Sequence, residues 1–185
     1  MKKSLLFIFV LVLCVLLCSC NGSKSDIIES STEIESTEPS VENLTKATEL
    51  IKDAEDLIIK AASQQLSGWI NDAEVMRAYF VDDMYDSLSH YTEDYGLPEY
   101  PNRAESIHEF RADAQEKLES AKELIGKNGS EDYYNAVKEY YKTVNNFLTL
   151  ISEFPDGYSK FTYSNTVTDH KSDCADAYSE LEFYR

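Results

Sequence analysis

The sequence predicts an all-α fold, an up-and-down helical bundle with one long N-terminal helix, and three observations lead there. Apolar residues recur at steps of three and four through most of residues 41–184, which places them on one face of successive helices. No stretch keeps the strict alternation of a strand. Short turns rich in Gly, Pro and Asn separate the later periodic stretches, and such turns join helices as antiparallel neighbours.

The first stripe runs through Leu44, Ala47, Ile51, Ala54, Ile58 and Ala61, then Gln65 or Leu66, and on through Trp69, Ala73, Met76, Phe80, Met84, Leu88 and Tyr91. Ser40, after Pro39, is the expected N-cap. The stripe keeps its phase through Ser67-Gly68, and one glycine costs a helix only about 1 kcal/mol. A single helix kinked at Gly68 is the first expectation; two helices with a reversal there is the alternative. Pro98 and Pro101 end the element, with Gly96 suited to a C-terminal cap.

Asn102 followed by Glu105 reads as a variant capping box for a second helix through Ile107, Phe110, Ala114, Leu118, Ala121 and Ile125. That helix stops at the turn Gly126-Lys127-Asn128-Gly129. Ser130 is the expected cap of a third, whose stripe is Tyr133, Val137, Tyr140, Val144, Phe147, Ile151 and Phe154. After Pro155-Asp156-Gly157, the residues Tyr163, Val167, His170, Cys174, Ala177, Leu181 and Tyr184 mark a fourth.

Ahead of the bundle, Lys2 and Lys3 precede an apolar run from Leu5 to Leu17, the order of a secretory signal peptide. The segment Leu17-Cys18-Ser19-Cys20 that follows resembles the lipobox of bacterial lipoproteins. Ser19 supplies the small residue before the cut, whereas Cys14 and Cys18 each follow a leucine, so Cys20 matches the lipid acceptor. The alternatives are an ordinary cleaved signal peptide and an uncleaved anchor. The resemblance implies residues 1–19 as the leader, 20–40 as a lipid-anchored linker rich in Ser, Thr and Glu, and 41–185 as the bundle domain. It further implies a cell-membrane location on the extracytoplasmic face, with the membrane reached through fatty acyl chains on Cys20. As a flexible coil, about 19 linker residues hold the domain on the order of 25 Å from the lipid.

From Tyr133 to Tyr184, paired aromatics, a Pro-x-Gly turn, an Asp-rich stretch and a final Tyr-x-x-Leu resemble a group of helical lipoproteins of Gram-positive bacteria. That likeness carries over architecture and location, and no functional residues.

The chain of 185 residues has a formal charge of −17, and loss of Lys2 and Lys3 with the leader leaves 15 basic residues against 34 acidic ones, or −19. Such a charge repels phosphate backbones, so nucleic acid is not an expected partner. Of the four cysteines, Cys174 alone remains outside the N-terminal segment and has no intramolecular disulfide partner.

Candidate sites are few. Asp86, His90 and Asp94 follow one another at spacings of four, a helical row able to take a transition metal, and they motivate the reading as a metal- or solute-binding lipoprotein. His170 and Cys174 lie one turn apart, the spacing of a thiol–imidazole pair, but both fall on the apolar stripe, where packing is the simpler role. Neither a cofactor motif nor a convergent catalytic set is present, so no enzyme activity and no cofactor are expected. The surplus is tyrosine, 13 in all. Tyr95 and Tyr100 sit in the Pro-rich turn, and Tyr134 and Tyr141 are spaced to share a flank of the third helix. Amphipathic rings on such surfaces suit contact with a protein or stacking on a sugar, so an interaction module facing an envelope protein or glycan is the leading expectation.

Overall fold

A computed structural model describes residues 40–70, 76–80, 99–126, 129, 131–153, 157 and 159–185. Its elements are α1 (Val41–Ser67), α2 (Tyr100–Ile125), α3 (Asp132–Ser152) and α4 (Lys160–Tyr184), and the described residues include no strand. The fold is therefore an all-α bundle. Among the described residues, no helix is long and apolar enough to cross a membrane.

The helices run alternately up and down. Lys117 reaches Asp53 across α1 and α2 at 3.2 Å, while Arg103 donates to Ser67 at 2.9 Å, so residues farther along α2 meet residues earlier in α1. Between α3 and α4, Tyr140 lies against Tyr178 and Phe147 against His170, again in opposite order. The most extensive contact joins α1 to α2, where Ala47, Ala54 and Ala61 of the first helix and Ala104, Ala114 and Ala121 of the second are all fully buried. Alanines at the seam let two backbones approach closely while the interleaved Leu44, Ile51, Ile58 and Ile107 fill the remaining volume. The stripe of α3 is buried from Tyr133 through Ile151 without a miss. That of α4 is thinner: Tyr163, Val167, Cys174 and Leu181 are buried, and Tyr184 is exposed.

Local chemistry explains most helix ends. Ser40 Oγ accepts from the Asn43 amide at 3.2 Å, as expected of the α1 cap, and Ser159 Oγ accepts from the Thr162 amide at 3.2 Å to start α4. Gly126 at φ 69° and Gly157 at φ 83° occupy the left-handed region that the two turns require. Two expected starts are corrected. Helix α2 begins at Tyr100, ahead of Asn102, because Pro101 fits the first helical turn, where a missing N–H is harmless. The residue at the α3 cap position is Glu131 rather than Ser130, and its side chain makes no capping bond.

The larger correction concerns Gly68, where the first helix ends instead of bending and continuing. The Gly68 amide closes the last turn on Gln64 at 2.9 Å, Trp69 and Ile70 are non-helical, and the Ile70 amide donates to Met76 Sδ at 3.3 Å. The Gln65 side chain reaches the Tyr79 carbonyl at 3.2 Å, a contact across fourteen residues that no straight helix can make. Reversal buries Met76, Ala78, Tyr79 and Phe80 at the end of the core. Each large apolar side chain so buried contributes about 1.5–3 kcal/mol, against tenths for each residue of helix forgone, so burial decides.

Glycine is needed here for space and not for positive φ, since Gly68 sits at φ −90°. A Cβ added there would stand 2.5 Å from Tyr79 Oη and 2.7 Å from Arg103 Cδ. Gly68→Ala should therefore destabilise the fold by about 1–3 kcal/mol despite the better helix propensity of alanine. Chemical denaturation of both proteins checks this; an alanine variant as stable as the parent would contradict the close approach.

Candidate functional site

Of the residues singled out in the sequence, the structure places Cys174 in the core and His170 half-buried beside it. The His170 ring stacks on Phe147 with centroids 5.7 Å apart and an interplanar angle of 15°. Cys174 is fully buried, and burial, with the Glu55 carboxylate next, pushes its thiol up to about 12. A thiol held protonated is neither a ready nucleophile nor a ready ligand. The described residues include no group of three or more His, Cys, Asp or Glu side chains arranged to hold a metal. Asp86, His90 and Asp94, the other metal candidates, lie outside the described residues.

The polar interior belongs to Glu55, which is 4% exposed in the middle of α1. Tyr140 Oη donates to its carboxylate at 2.5 Å, and Lys52 Nζ stands 3.0 Å from the same oxygen. Lys52 also lies over the Tyr178 ring, 5.3 Å from its centroid, and that ring packs on Tyr140 at 5.3 Å. Burial first, then the Glu55 hydrogen bond, raises the Tyr140 hydroxyl far above its ordinary range and keeps it a donor. These groups satisfy one another, which is the condition for leaving them inside.

The tyrosines separate by position. Tyr134 is 4% exposed and not on an open flank, which corrects its assignment to a contact surface. Gly129 approaches it so closely that a Cβ there would lie 2.6 Å from its ring. Tyr95 lies outside the described residues, and Tyr100 is the first residue of α2. Tyr141 remains half-buried at the edge of a groove.

That groove, about 400 Å³ in volume, runs between α2 and α3. Gln115, Glu119 and Lys122 line it from α2; Tyr141, Asn145 and Thr149 line it from α3, with Leu118 and Leu148 beneath and Ser152 and Glu153 at one end. Each set recurs at steps of three or four and so occupies one flank of its helix. Several of these groups are already oriented. Gln115 Nε2 donates to Glu119 at 3.1 Å, the Thr149 hydroxyl donates to the Asn145 carbonyl at 3.1 Å, and Arg111 Nε donates to Ser152 Oγ at 3.2 Å. Among the described residues, the Asn145 carboxamide and the Glu153 carboxylate have no side-chain partner, and both face the groove. Burial, and secondly the nearby Glu119, raises the Tyr141 hydroxyl above its ordinary value, so it too stays neutral. The volume lies within the range of small-ligand sites, which is about 300–1,000 Å³.

No family model, curated protein or solved structure matches the chain. The groove is accordingly read from its own chemistry. Sequence reasoning found Tyr141 but not the groove opposite it. The usable signal was the row Gln115, Glu119, Lys122 on α2, whose partner row on α3 is identifiable only once the two helices are paired.

Burial of Cys174 carries a pH dependence. In the unfolded chain a thiol ionises near about 8.5, while in the fold it does so only near about 12. The stability it contributes is complete below the unfolded value and is lost as pH climbs through the folded one, at up to about 1.4 kcal/mol per pH unit. Denaturation midpoints should fall between about pH 9 and pH 11, and Cys174→Ala should flatten that slope. An equal slope in both proteins would show that the thiol is not held protonated.

Proposed function

We propose that this chain is a lipid-anchored binding module on the extracytoplasmic face of the cell membrane, presenting the α2–α3 groove to an envelope protein or glycan. The observation that carries the reading is the groove itself, an open cleft of ligand size with a mixed polar and apolar lining. It occurs on a bundle whose buried carboxylate, carboxamide and thiol are committed to packing and internal hydrogen bonds. The anchor is supported by the order of basic residues, apolar run and Leu17-Cys18-Ser19-Cys20. A single acyl chain holds a protein only marginally, so the diacylglyceryl group implied at Cys20 is the relevant unit for a durable tether.

Two experiments test the reading. In cells fed a labelled fatty acid, the parent chain and Cys18→Ala should carry label in the membrane fraction, and Cys20→Ala should carry none. Label persisting in Cys20→Ala would remove the anchor. The unlipidated Cys20→Ala chain should also sediment with isolated envelope, and Asn145→Trp, which fills the groove, should release it while leaving the helical circular dichroism unchanged. Equal sedimentation with and without Asn145→Trp would remove the groove from the function.

A further inference from the structure

The lining of the α2–α3 groove specifies a class of ligand, and this step rests on the reading of the chain as a binding module. An anionic polymer is opposed by Glu119 and Glu153 in the groove and by the formal charge of −17 on the whole chain. An apolar ligand would have to strip water from two carboxylates, an ammonium and two amides to reach only two leucines. A cationic peptide is drawn by the overall charge but meets Lys122 within the groove, where one of the two carboxylates, Glu119, is already engaged by Gln115.

What remains is a lining of neutral amides and hydroxyls mixed with single charges, beside one half-buried aromatic ring. The Asn145 carboxamide offers a donor and an acceptor on adjacent atoms, which matches a pair of neighbouring hydroxyl groups. Glu153 accepts from hydroxyls and Lys122 donates to their oxygens, both as charge-assisted bonds. The Tyr141 ring supplies a flat apolar face of the kind on which a pyranose packs its C–H side. The cleft is elongated along two helices and open to solvent, so it suits a stretch of chain more than an enclosed small molecule. We infer that the α2–α3 groove binds an uncharged oligosaccharide, with Tyr141 as the stacking platform and Asn145 and Glu153 as the hydroxyl-reading groups.

The test uses the full chain in a detergent without a sugar headgroup. Amide spectra are recorded while β-1,4-linked glucose tetramer, N-acetylglucosamine tetramer or tetralysine is added. At least one tetrasaccharide should give saturable shifts confined to residues 115–122 and 141–153. Tyr141→Ala should weaken that binding by about tenfold or more, whereas Tyr141→Phe, which keeps the ring, should stay within about threefold of the parent. Should Tyr141→Ala fold poorly, Asn145→Ala should produce a comparable loss.

Three outcomes would overturn the inference: no groove shifts with either sugar up to about 10 mM, shifts elsewhere on the bundle, or unchanged affinity in both alanine variants. Tetralysine alone shifting the groove would reject the sugar and keep the groove as a binding site. Silence from all three probes, together with unchanged envelope sedimentation of Asn145→Trp, would reject the binding-module reading as well.

Discussion

One buried carboxamide ties the upper end of the bundle together. Gln65, with no exposed surface, donates to the carbonyls of Ile151 at 2.9 Å and Tyr79 at 3.2 Å, and its oxygen accepts from the Tyr163 hydroxyl at 2.5 Å. The end of α3, the start of α4 and the segment returning after α1 thus meet on a single side chain. Each partner has a reason to need it. Ile151 lies in the last turn of α3, where carbonyls have no helical donor, and Tyr163 is buried with a hydroxyl that must be satisfied. An amide presents both donors and an acceptor in one plane, and few other side chains serve all three roles.

Around Gln65, the carbonyls of three successive residues are captured by side chains. Tyr79 bonds to Gln65, Ala78 lies 2.8 Å from His108 Nε2, and Phe80 accepts from Arg111 at 3.0 Å. Arg111 also approaches His108 Nδ1 at 3.1 Å, and since a guanidinium can only donate, that nitrogen accepts and Nε2 carries the proton toward Ala78. Arg111 then reaches Ser152 at the end of the groove. The side chains that hold the chain reversal therefore also support one end of the candidate binding surface. Lower in the bundle, Glu55, Tyr140 and Lys52 form a second polar layer between α1 and α3. With the interior chemistry committed in this way, the polar groups left open to solvent lie on the helix flanks.

The helices and their buried faces were legible because amphipathic periodicity is a local property. The α3 stripe from Tyr133 to Ile151 lies in the core as its spacing predicts, and Ser40 caps α1 through a contact only three residues long. Gly68 was not legible in the same way. The stripe continues past it because Met76 and Phe80, which fall in its phase, are also buried, so phase alone cannot distinguish a helix that continues from one that stops and returns. Tyr134 was misplaced for a related reason: spacing put it on a flank, and the close approach of Gly129 then covered that flank.

By itself the sequence determined the helical class, the faces that turn inward and the acidic charge, all of which follow from side chains and their immediate neighbours. Tertiary structure alone decided that the first helix ends at Gly68, that Gln65 and Glu55 are buried and bonded, and that Gln115 and Glu119 face Tyr141 and Asn145 across one groove. The physical reason is the range of the interactions. Helix propensity, capping and periodicity act within a few residues, whereas the reversal depends on burial against α2, α3 and α4, and a groove exists only once two helices distant in sequence are packed side by side.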